Sequence, residues 1–126
     1  HVVDKNTGES IHKKYFDIIQ GTAHYTTSTG EEKVVLGYGA TIAHVELDGN
    51  KTEYPVDTVY DAEGNVVDIG LLNLRSMDDN NNETFVVATN TDLEGIAHTG
   101  IYKLQLDEDQ KNPSASLHLV IVLIKK

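Results

Sequence analysis

The chain has 126 residues, 39% of them hydrophobic, which is enough for one domain with its own apolar core. Twenty acidic residues stand against ten Lys and Arg, a net charge of −10. The basic residues cluster only at 12–14 and 125–126, too sparsely for a basic patch for nucleic acid or an anionic membrane surface, and the lack of cysteine excludes disulfide scaffolds, thiolate zinc sites and thiol nucleophiles.

In chain order, residues 10–19 allow either a short helix capped by Ser10 or a first strand. Beyond them, turn signals recur at short intervals: Ser28-Thr29-Gly30, Asp48-Gly49-Asn50, Glu63-Gly64-Asn65, the run from Asp78 to Asn82, and Thr99-Gly100. Gly and Asn accept the positive φ of tight hairpins, and the stretches between them are rich in Val, Ile, Thr and Tyr. Strands are expected over 33–37 and 40–47, separated by a bend at Gly37-Tyr38-Gly39, and over 51–56, pairing back across Asp48-Gly49-Asn50. Two more, 58–60 and 65–69, flank a turn at Asp61-Ala62-Glu63-Gly64. Further strands are expected over 84–89 and 101–106, the latter with Tyr102, Leu104 and Leu106 on one face. The last, 116–124, is apolar on both faces and reads as a central, covered strand, with Leu117, Leu119, Ile121 and Leu123 in the core and Val120 and Val122 covered on the other face.

The pattern predicts an all-β fold over a single domain, 1–126: an immunoglobulin-like β-sandwich, or alternatively a small antiparallel β-barrel. The longest apolar run, 119–124, is far short of a membrane span. A chain that starts at His1 reads as a module excised from a larger protein.

Metal and catalytic motifs are incomplete. Asp78, Asn80 and Asn82 match the first three ligands of an EF-hand loop, but Glu83 stands where its glycine belongs and Thr89 where its bidentate glutamate belongs. The six histidines (His1, His12, His24, His44, His98, His118) form no H-x-H or H-E-x-x-H pair. No G-x-S-x-G or phosphate loop is present, so no cofactor and no metal are expected. A barrel could still gather His24, Tyr38, His44 and His118 around a cavity that binds a ligand or catalyses, and the 78–82 loop could serve a calcium- or carbohydrate-binding module.

Thr99-Gly100-Ile101-Tyr102-Lys103-Leu104-Gln105-Leu106-Asp107-Glu108 resembles the G-x-Y-x-y-x-v-x-E strand of pilin-type isopeptide domains, the immunoglobulin-like modules of Gram-positive pili and adhesins. His12-Lys13-Lys14-Tyr15-Phe16 is similar to that family's early lysine strand, and 59–67 to turns of bacterial surface modules. The resemblance implies a structural or adhesive module at the cell wall, outside the cell. Its partners would be neighbouring domains of the same protein and a host protein or glycan. It also implies an internal cross-link in which Lys14 or Lys13 attacks an amide activated by Glu108. The chain departs from the family in one respect: its last strand has no Asn to accept the lysine, and Asn112 precedes that strand.

Overall fold

Short alternating segments bounded by Gly and Asn turns can bury one face only by pairing with neighbours, and here they pair into one sheet. The computed structural model describes residues 21–123. Its strands are β1 (Gly21–Thr26), β2 (Glu32–Tyr38), β3 (Thr41–Val45), β4 (Lys51–Tyr60), β5 (Leu71–Asn80), β6 (Glu83–Thr91), β7 (Ala97–Asp107) and β8 (Ser114–Leu123), with no helix among the described residues. The order across the sheet is β1-β2-β3-β4-β8-β7-β6-β5. Every ladder is antiparallel except β4 with β8, which is parallel. The all-β expectation holds, and the continuous order fits the barrel form.

The direction of each strand follows from the ladders. Two four-stranded meanders join at the parallel β4–β8 seam, and β1 and β5, at the two ends of the order, run the same way and face one another. The barrel is nearly closed there. The Leu74 amide donates to the Gly39 carbonyl at 2.7 Å, and the His24 amide donates to the Asp79 carboxylate at 3.2 Å. Two glycines permit this approach. A Cβ on Gly21 would stand 2.7 Å from the Met77 backbone nitrogen, and one on Gly37 2.9 Å from the Met77 sulfur.

The interior is filled rather than hollow. Val35, Ile42, Tyr54, Val59, Leu74 and Val86 are buried, joined by Tyr102, Leu104 and Leu117 from β7 and β8. One end of the barrel carries the β1–β2, β3–β4 and β5–β6 turns and the β7–β8 connection. The other carries the β2–β3 and β6–β7 turns and the connection 61–70 that crosses from β4 to β5.

Several expectations change. The bend at Gly37-Tyr38-Gly39 is a hairpin turn at Gly39 and Ala40, with Gly39 at φ 58°. Of the expected strand 65–69 only an isolated bridge, Tyr60 to Val66, forms, because the chain must leave β4 to reach the far edge of the sheet. The turn expected within Asp78 to Asn82 is present but shorter than the run: β5 continues to Asn80, and Asn81 and Asn82, at φ 52° and 65°, lead into β6.

The last strand is covered along half its length. Leu117 is fully buried and Leu119 packs on the core, but Ile121 is 53% exposed and Val120 and Val122 are similarly open. The cause is a bulge: Tyr102 faces Leu119 while Ile101 faces Ile121, so Val120 is the extra residue and the alternation reverses beyond it. In addition, β4 pairs β8 only as far as His118, so among the described residues the end of β8 has a paired strand on one side. The candidate helix 10–19 and residues Lys13 and Lys14 lie outside the described residues.

Candidate functional site

The β4–β8 seam builds a polar outer face from alternation alone. With Val59, Ala115 and Leu117 turned inward, Thr58 and Tyr60 of β4 and Ser114, Ser116 and His118 of β8 turn outward. Parallel register sets Thr58 beside Ser116 and Tyr60 beside His118, and β7 adds Gln105 beside Ser116 and Asp107 beside Ser114. The rings of Tyr60 and His118 stack, with centroids 4.5 Å apart and planes 10° from parallel. A register shift between Val56 and Thr58 leaves Asp57 at the edge of this face, where its carboxylate accepts the Thr58 hydroxyl at 3.0 Å.

These groups line a cleft of about 680 Å³, closed on its other side by Tyr25, Thr27, Ser28 and Thr29 of the β1–β2 hairpin. Tyr25 is fixed there because its hydroxyl accepts the Leu106 amide at 3.0 Å. The Thr27 hydroxyl accepts the Glu31 amide at 3.1 Å, which holds the turn in shape.

Behind the cleft, at the turn-rich end of the barrel, lies a polar cluster. Lys33 of β2 donates to Glu108 at 2.9 Å and to the Tyr54 hydroxyl at 3.4 Å, and that hydroxyl donates to the same Glu108 oxygen at 3.1 Å. Tyr54 is 2% exposed, and burial raises its phenol above the ordinary value. Partial burial pulls the Lys33 ammonium down, but the bonds and charges of Glu108 and Tyr54 outweigh this and it titrates above its ordinary value. The amine is therefore held charged, the opposite of what a nucleophilic lysine needs. Glu108 thus takes a lysine partner from β2. Whether Lys13 or Lys14 also approaches it lies outside the described residues.

The four side chains expected around one cavity are dispersed. His24 Nδ1 meets Asp79 at 2.8 Å on the β1–β5 side, and His44 Nδ1 meets the Val34 carbonyl oxygen at 2.9 Å. Tyr38 ends β2, and of the four His118 alone lines the main cleft, from the outer face. Among the described residues no three His, Asp or Glu side chains gather as they would around a metal ion. Ser116 Oγ and His118 Nε2 are 3.4 Å apart, but the imidazole lies flat on Tyr60 and no carboxylate bonds its other nitrogen among the described residues. The pair therefore lacks the orienting third group of a hydrolytic triad. Sequence reasoning missed Tyr60, Thr58 and Ser114. The signal was present in the outward positions of Ser114-Ala115-Ser116-Leu117-His118, but only the register shows what stands beside them.

Comparison of the chain with protein-family models, curated proteins and solved structures found no match.

Proposed function

We propose that the protein is a binding module whose outer cleft holds a neutral, polyhydroxylated ligand of the saccharide class. The observation that carries this reading is the stacked Tyr60–His118 pair set among the hydroxyls of Thr58, Ser114 and Ser116 and the amide of Gln105. A sugar ring has an apolar C–H face that suits an aromatic plate. Its rim of hydroxyls both donates and accepts, and so does this lining. Asp57 and Asp107 add acceptors for paired hydroxyls and, with the net charge of −10, disfavour anionic ligands. An adhesive role at a cell surface, as the pilin-like strand implies, would run through this cleft.

The test is a titration of the isotope-labelled full chain with neutral disaccharides (cellobiose, maltose, lactose and chitobiose) up to about 20 mM, a range that captures millimolar affinity. The expected result is amide shifts confined to 57–60, 105–107 and 114–118 for at least one sugar, lost in Tyr60→Ala. No shift with any sugar, or shifts that survive Tyr60→Ala, would overturn the reading.

A further inference from the structure

The outer cleft does not end at His118. A second cleft, of about 560 Å³, opens between the end of β1 with its turn, the start of β6 and the outer face of β7. It shares Tyr25, Thr27, Ser28, Gln105 and His118 with the first, so the two form one continuous groove. Strand register explains the continuity. Tyr60 stands beside His118 and His118 beside Lys103, so the outward row that begins on β4 passes over β8 to β7. Glu83, at the start of β6, then carries it on, its carboxylate accepting the Lys103 ammonium at 3.1 Å. From β4 to β6 there are three strand spacings, about 14 Å.

The two arms of the groove differ in chemistry. The first holds the stacked rings of Tyr60 and His118. The second adds the Lys103 ammonium, the Glu83 carboxylate, the Asn82 carboxamide and the Thr26 hydroxyl. Lys103 and Glu83 are each about half exposed, at 50% and 47%. An ammonium has three N–H donors and a carboxylate two acceptor oxygens, so each keeps capacity after bonding the other. Their charges cancel, and the second arm therefore selects for hydroxyls as the first does. A single ring lying on Tyr60 cannot reach Glu83 across three strand spacings. A ligand that meets both arms is extended and crosses the strands.

We infer that the groove takes a linear, neutral oligosaccharide, with one sugar stacked on the Tyr60–His118 plate and later units held through their hydroxyls by Lys103, Glu83 and Asn82. This rests on the saccharide reading of the first cleft and adds the form of the ligand, a chain of several units laid across the sheet.

The test compares the dimer and hexamer of one sugar: cellobiose with cellohexaose, maltose with maltohexaose, and chitobiose with chitohexaose. Each is titrated into the isotope-labelled full chain. The hexamer of the sugar that binds should be tighter than its dimer by on the order of 30-fold, clear of the roughly fivefold gain from offering five overlapping dimers. Its amide shifts should reach 82–84 and 103, which the dimer leaves unmoved. Lys103→Ala, at a half-exposed position, and Asn82→Gly, which tolerates the positive φ of the turn, should each weaken the hexamer several-fold and leave the dimer unchanged. A gain of fivefold or less, hexamer shifts confined to the first cleft, or extra affinity that survives both variants would exclude the chain and leave the saccharide reading standing. If no sugar binds, both fall.

Discussion

Two tyrosines lie in the barrel interior, Tyr54 of β4 and Tyr102 of β7, and the two are treated differently. At the turn-rich end Tyr54 both accepts from Lys33 and donates to Glu108, so its hydroxyl is used twice. At the other end Tyr102 accepts a long bond from Asn90, and half of that amide has no partner among the described residues. Both phenols are shifted upward, chiefly by burial. The contrast shows that burial alone does not make a site. One hydroxyl is used on both sides, and the other leaves half of its partner amide over.

The strongest way to break this comparison is along β8, which runs from the turn-rich end to the opposite one. Leu117→Ala should lower the unfolding free energy by about 2–5 kcal/mol, because it empties a fully buried position. Ile121→Ala, four residues on, should cost about 1 kcal/mol or less, since half of that side chain already meets solvent. Urea unfolding of the two variants decides it, and equal losses would mean that the bulge does not turn Ile121 outward.

A smaller effect sharpens the picture at the turn-rich end. A double-mutant cycle of Lys33→Met and Glu108→Gln should give a coupling of about 1 kcal/mol, modest because the Glu108 carboxylate is partly exposed and screened. Lys33 titrates above the ordinary lysine value of 10.5. Its contribution is therefore fully present below pH 10.5 and is lost as pH rises through the folded value. Stability measured from pH 9 to 12 should fall less steeply in Lys33→Met than in the parent.

The smallest effect belongs to the opposite end. Asp92 Oδ1 accepts the Glu94 and Ile96 amides, each at 2.9 Å, and its carboxyl lies below the ordinary 3.8. Its contribution is present above pH 3.8 and is lost as pH falls through the folded value. Asp92→Asn should flatten that part of the acid-unfolding profile, and an unchanged profile would show that the turn does not depend on the charge.

Much of the site was latent in the chain without being legible. Glu108 stood out only through the pilin-like strand, and Lys33, which meets it, gave no local sign of turning inward at the start of β2. Ser114, Ser116 and His118 are visibly alternate, yet Tyr60 becomes their neighbour only because β4 and β8 pair in parallel across a long stretch of sequence. Asn90 fell one residue beyond the expected strand 84–89, and β6 extends through it. Its burial follows from sharing the inward face of β6 with Val86 and Ala88.

By itself the sequence determined the all-β class, the hairpin turns at Gly30, Gly49 and the two adjacent asparagines, and the inward face of β7. Each of these is a local matter of φ preference or of period-two alternation. The tertiary structure alone decided that β1 and β5 are strands, that the sheet curls until they meet, and that a bulge exposes the end of β8. Strand order, closure and register depend on which distant segments bury one another's faces, and alternation within a single segment carries no record of its partner.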